Sequence, residues 1–152
     1  LIAYRLVHQL ALNATGGQPL VTKGASGRWN SQGVFITYLA EHPALAALEV
    51  LNYAGMYRDL HGYVLFGVEI PDGAIMNAPE TLDVHDHGQT RPYGDAWARA
   101  GKSLALRVPS VAAPLSHNVL LNQQHPLLLT LNPVRIGPFN FDARVTALIE
   151  KP

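Results

Sequence analysis

Short apolar runs, several rich in β-branched or aromatic residues, recur along this chain between breaks of Gly, Pro, Asn and Ser. That pattern predicts a set of short strands. Partial alternation in Ile2 to Leu6 predicts the first, and Gly33 to Tyr38 predicts a second. Gly62 to Ile70 gives the clearest strand signal, closed by the turn residues Pro71-Asp72-Gly73. Ser103 to Val108 predicts another, stopped by Pro109, and Val119 to Leu121, Leu127 to Leu131 and Val134 to Ile136 are further apolar pieces. Between the first two strands, residues 13–30 are rich in Gly, Ser and Thr and read as a loop long enough to cross a cleft.

Helical signals are fewer. Pro43 suits the first turn of a helix, and the run that follows predicts one reaching Met56 or Arg58. Its apolar positions spread around most of the cylinder, which predicts cover on more than one side. Residues 77–100 are polar and read as irregular, with a short helix over Asp95 to Gly101 carrying Trp97. Six to eight short strands with few helices, no repeat and no linker predict one compact α+β domain over residues 1–152.

Composition narrows the function. Of the 152 residues, 48% are hydrophobic, enough for a true core. Eleven basic and eleven acidic residues cancel, which removes the long-range attraction expected of a nucleic-acid binder. Without cysteine there are no disulfides and no thiolate metal sites. No apolar stretch approaches the ~20 residues of a membrane span, and no secretory leader is read, so a cytoplasmic location is expected.

Glu49 is the only charge between Pro43 and Met56. A carboxylate in so apolar a helix either faces a polar cleft or lies on the helix's one wet edge, and spacing alone leaves both readings open. In a cleft it suits the stabilisation of positive charge as a glycosidic bond breaks. Arg5 in the first strand and Arg28 in the Gly-rich loop suit phosphate oxygens, or else an edge-strand charge for Arg5 and local pairing in a surface loop for Arg28. The loop glycines match neither a P-loop nor a dinucleotide-fold fingerprint. Tyr38 suits stacking on a planar ring, or a place in the core. Ser110 follows Val-Pro at a strand end and suits a ribose hydroxyl or phosphate, or a turn, while Asn118, Asn122 and His125 add a later polar cluster. His85 and His87 alternate in an acidic turn, but they lack both a zincin motif and an obvious third ligand, so no metal site is expected.

Taken in order, Tyr4-Arg5, Gly27-Arg28-Trp29-Asn30, Gly33, Tyr38, Ala-Leu-Ala-Ala-Leu-Glu49, Leu-Arg-Val-Pro-Ser110, Asn118, residues 122–126 and Phe141-Asp-Ala-Arg144 resemble the RES-domain toxins of bacterial Xre/RES toxin–antitoxin systems. The resemblance covers nearly the whole chain. It implies an ADP-ribosyltransferase-like fold, in which two small sheets flank a NAD cleft. It also implies a toxin that depletes NAD by cleaving the nicotinamide N-glycosidic bond, through hydrolysis or phosphorolysis. NAD is then substrate rather than cofactor, and inorganic phosphate is an optional co-substrate. Arg5 and Arg28 would hold the phosphates, Tyr38 would shape the nicotinamide pocket, and Glu49 would stabilise the oxocarbenium-like transition state. Ser110 and Asn118 would position ribose or phosphate. The implied partner is an Xre-like antitoxin that blocks the cleft and carries the DNA-binding role, with homo-oligomerisation compatible. Protein ADP-ribosyltransferase activity and a noncatalytic interaction domain are the alternative readings.

Overall fold

The computed structural model describes residues 1–53 and 60–149 of the chain. Among the described residues there are seven strands: β1 Ile2–His8, β2 Ile36–Ala40, β3 Tyr63–Glu69, β4 Ile75–Asn77, β5 Ala105–Pro109, β6 His117–Asn122 and β7 Val134–Phe139. Helices are α1 Gln9–Ala14, α2 Pro43–Tyr53, α3 His87–Ala100 and α4 Ala143–Ile149. The α+β class expected from the sequence is the one observed.

All seven strands join one sheet in the order β4-β5-β6-β2-β1-β3-β7. Where two small sheets were expected, the strands form two halves of this one sheet, joined through β1 and β2. On one side β1 pairs with β3 from Ile2↔Glu69 to His8↔Tyr63, and β3 continues to β7. On the other, β2 pairs with β6 from Ile36↔Asn122 to Ala40↔Asn118, and β6 pairs with β5. Between the halves, β1 and β2 share the single register pair Tyr4↔Ala40. Beyond that pair the ladder is not continued, and the sheet opens. Arg5, the residue after the junction, is paired to Phe66 of β3 on its other side.

Among the described residues four apolar clusters flank this split sheet, the smallest joining Val7, Leu12, Val64 and Phe66. Leu6, Ala40 and Leu65 pack beneath Leu45 and Ala46 of α2, with Tyr4, Leu48 and Val50 beside them. Trp97 of α3 packs with Trp29, Ile36, Leu106, Val108 and Leu120. Ala3, Leu39, Val68, Ile70, Leu104, Val119 and Leu121 form a third cluster, closed over by Leu20 and Leu131. Each fully buried Leu or Ile in these clusters is worth about 1.5–3 kcal/mol by area.

Several expectations shift. The second strand runs over Ile36–Ala40 rather than Gly33 to Tyr38, because Gly33 has φ +86° and closes a turn with Gly24 instead. Leu127 to Leu131 is not extended: Pro126 starts a 3-10 helix over Pro126–Thr130, and His125 Nδ1 caps it by accepting from the Leu127 amide. The expected short helix near Trp97 is the last part of α3, which is 14 residues long. Asp86 caps its start, accepting from the Gly88 amide at 2.8 Å, and Gly101 ends it in the left-handed conformation. For α2 the described helix ends at Tyr53, and its expected extension to Met56 or Arg58 lies outside the described residues. Among the described residues no helix is long and apolar enough to cross a membrane.

Candidate active site

A cavity of about 600 Å³ opens where the two half-sheets part. Tyr4, Arg5 and Leu6 of β1 line one side, and Tyr38, Leu39 and Ala40 of β2 line the other. Ala46, Glu49 and Val50 of α2 also line it. Their i, i+3, i+4 spacing sets them on one helix face. Arg28 and Trp29 enter from the loop after α1, while Asn118 of β6 and the segment after β5 complete the wall. Arg5, Arg28, Tyr38, Glu49 and Asn118, read separately from the sequence, therefore meet in one cleft. Ser110 stands just behind the wall and reaches the same carboxylate.

Glu49 is half-buried and closely held. The Ser110 hydroxyl donates to Glu49 Oε1 at 3.3 Å. Ser110 Oγ in turn accepts from the Ala113 amide at 3.1 Å, which fixes the hydroxyl in its turn. Burial pushes the Glu49 carboxyl above its ordinary range, opposed by hydrogen bonds from Asn118 and Ser110 and by the positive charge of Arg28. Asn118 Nδ2 also donates to the Leu39 carbonyl at 3.2 Å, so this amide bridges the β2 backbone and the cleft. Of the two sequence readings of Glu49, the cleft-facing one is the geometry observed.

The two arginines are held differently. Arg5 donates through Nη1 to the carbonyl oxygen of Pro19. Desolvation by burial lowers its guanidinium to about 10, which leaves it cationic at neutral pH. Arg28 donates through Nη1 to the Val84 carbonyl at 2.9 Å. A guanidinium carries five N–H donors, so this one bond uses a small part of the capacity of a side chain that lines the cleft.

The Gly-rich loop owes its shape to Asn30, which is fully buried. Its Nδ2 donates to the carbonyls of Ala25 and Val34, each at 2.9 Å. Its Oδ1 accepts from the Tyr38 hydroxyl at 2.5 Å, and that hydroxyl accepts from the Trp29 amide at 3.0 Å. Tyr38 thus spends its polar end on the loop and leaves its ring on the cleft wall. A Cβ on Gly27 would lie 2.6 Å from the Tyr38 hydroxyl oxygen, so only glycine fits beside it.

Sequence reading missed the groups that support this loop from α3. The Asp95 carboxylate, the Thr90 hydroxyl and the Arg91 guanidinium all bond to it, and Gly94 lies against it. The available signals were the Asp86 cap and the Gly101 stop, obscured by Pro92 and two glycines inside the helix. The later polar cluster divides. Asn118 joins the cleft, whereas Asn122 donates to the Ala98 carbonyl at 2.9 Å and His125 caps a 3-10 helix. His87 begins α3, and the His85 amide donates to Asp83, so both belong to the capped turn before that helix.

The RES domain family model matches residues 2–142. The chain belongs to the RES-domain family. It is 34% identical to a relative named Toxin Res from Yersinia enterocolitica, over 95% of this chain and 99% of that protein. A relative from a Sphingobium species, named Prs ADP-ribosylating toxin, is 33% identical over 81% of this chain and 82% of that protein. Among solved structures, this RES domain resembles one of the M. tuberculosis MbcT–MbcA toxin–antitoxin complex with a TM-score of 0.66 and 18% identity, covering 98% of this chain and 86% of that one. At that identity the likeness speaks to the fold, and it extends over both halves of the sheet.

Proposed function

We propose that this RES domain is a toxin that binds NAD in the cleft between its half-sheets and cleaves the nicotinamide N-glycosidic bond. One observation carries the reading: a half-buried carboxylate, held by Ser110 and Asn118, shares a single cavity with two arginines. Arg5 and Arg28 hold the pyrophosphate oxygens, and the Tyr38 ring packs at the nicotinamide end. Glu49 orients the adjoining ribose and faces the positive charge that develops at its anomeric carbon. As the C–N bond breaks, its electron pair passes to the pyridinium nitrogen. Nicotinamide leaves neutral and needs no acid. Water then adds to the anomeric carbon and gives up one proton, yielding ADP-ribose. Ser110 and Asn118 act here through the carboxylate, holding it in place and favouring its ionised form.

Charge favours a neutral acceptor over phosphate. Among the described lining residues, Arg5 and Arg28 are cationic and Glu49 is anionic, leaving one net positive charge. NAD carries two negative charges on its pyrophosphate and one positive charge on its nicotinamide, so the two balance. Phosphate as co-substrate would add an unpaired anion to a partly buried site, which is costly. Transfer of ADP-ribose to a protein is the second reading, favoured by the name of the Sphingobium relative. Incubating purified protein with NAD separates these outcomes. Free nicotinamide and ADP-ribose, formed independently of added phosphate, are expected. ADP-ribose-1″-phosphate would establish phosphorolysis, and labelling of one polypeptide in an extract would establish transfer.

The reading extends to partner and place. An Xre-like antitoxin covering the cleft would silence the toxin, in keeping with the toxin–antitoxin complex found among similar folds. A toxin that consumes the cell's NAD would act in the cytoplasm.

A further inference from the structure

Helix α3 lines none of the cavity, yet its side chains bond to residues 27, 28 and 31 of the loop that carries Arg28. Asp95 is buried, with 7% of its surface exposed, and its carboxylate grips one residue of the loop. Asp95 Oδ1 accepts from the Ser31 amide at 2.8 Å, and Oδ2 accepts from the Ser31 hydroxyl at 2.5 Å. One turn earlier, the Thr90 hydroxyl donates to the carbonyl of Arg28 itself at 2.7 Å. Arg91 Nε donates to the Gly27 carbonyl at 3.1 Å. Between these contacts the helix has no side chain: a Cβ on Gly94 would lie 1.7 Å from the Trp29 carbonyl oxygen. Positions 90, 91, 94 and 95 form one stripe on a helix. That stripe meets the backbone of residues 28, 27, 29 and 31 respectively. The Arg28 side chain is then held by the Val84 carbonyl, just ahead of the same helix.

A buried carboxylate is expensive unless it is fully bonded, and bonds from a backbone amide and a hydroxyl are the strong, charge-assisted kind. A loop that only had to close over the core would need no such charge. This carboxylate is attached three residues from the one loop cation that enters the cleft.

We infer that Asp95 is a positioning residue for the cleft reaction, fixing the loop through Ser31 so that the Arg28 guanidinium meets the substrate's phosphate oxygens. The inference rests on the proposed NAD reading of the cleft. Asp95 touches no substrate, and its effect passes wholly through Arg28.

A double-substitution cycle tests this, with nicotinamide release measured per folded molecule and folding checked by near-ultraviolet circular dichroism. Asp95→Ala is expected to lower kcat/KM by about 10²-fold, the scale on which a misplacement of about 1 Å acts. Most of that loss should appear in KM, since phosphate is held in both ground and transition states. In an Arg28→Ala background the same change should cost almost nothing further, because the group it positions is gone. Asp95→Asn should keep most activity, since its amide still accepts from the Ser31 amide and can donate to the Ser31 hydroxyl. If Asp95→Ala does not fold, Ser31→Ala replaces it in the cycle with the same expected non-additivity. Equal losses in the wild-type and Arg28→Ala backgrounds would overturn the inference, marking Asp95 as a stability residue only. Wild-type protein that releases no nicotinamide would remove the NAD reading, and this inference with it.

Discussion

Glu49 sits where two demands conflict. Burial disfavours its charge, and the proposed chemistry needs that charge to face a nascent cation. Hydrogen bonds from Asn118 and Ser110, with the field of Arg28, work against the burial and leave a net upward shift. The sign of the consequence follows from linkage. A carboxyl whose pKa is higher in the folded state binds more protons there than in the unfolded chain. Its contribution is therefore fully present below the unfolded value of about 4.3 and is lost as pH rises through the folded one. Glu49→Gln is expected to melt no lower than wild type at pH 7, and any advantage should vanish below about pH 4. Its nicotinamide release should fall by at least about 10²-fold, as when a charge-stabilising group is removed from an active site. The acidic limb of the wild-type pH–rate profile should have its midpoint above the ordinary glutamate range. Ser110→Ala should move that midpoint further up and lower the rate roughly tenfold, the worth of one hydrogen bond to a charged group. A midpoint that moves down would refute the assigned role of Ser110.

At the scale of elements, α2 and α3 divide the work: α2 delivers the carboxylate, and α3 holds the loop that delivers a cation. Gly94 is where α3 shows this most plainly. Alanine is the better helix former by about 1 kcal/mol, but its methyl would collide with a backbone carbonyl that cannot swing aside. Overpacking of that kind costs about 1–3 kcal/mol. Gly94→Ala is therefore expected to lower both Tm and nicotinamide release in thermal-unfolding and turnover assays, and a raised Tm would contradict the close approach. Strands β1 and β3 and helix α2 were legible because apolar periodicity and Pro43 announce them locally. Residues 87–94 were not, because Gly88, Pro92 and Gly94 are poor helix formers, and the reason for Gly94 lies about 65 residues away at Trp29. The site itself was legible in parts. Glu49 and Arg28 stood out as charges in unusual settings, whereas Asp95 resembled any surface acid until the fold buried it.

For the molecule as a whole, the decisive feature is a sheet nearly divided in two. Seven paired positions bind β1 to β3 and five bind β2 to β6, against one between β1 and β2. The strength of the sheet lies within its halves, and the cleft occupies the seam. Neither half carries all the site: Arg5 comes from one, Tyr38 and Asn118 from the other, and Glu49 from the helix above. A ligand spanning the seam should therefore stabilise the whole fold. NAD at about 100 times its Kd is expected to stabilise a Glu49→Gln variant by about 2.7 kcal/mol. A thermal-shift titration checks this, and adding Arg28→Ala should largely abolish the shift. The central claim is that this seam breaks the nicotinamide bond of NAD through Glu49. Its most direct test is nicotinamide release from NAD by wild-type protein and by folded Glu49→Gln, side by side. Steady release by the wild type and a loss of at least about 10²-fold in the variant is the predicted result. Equal release by both, or none by the wild type, would contradict it.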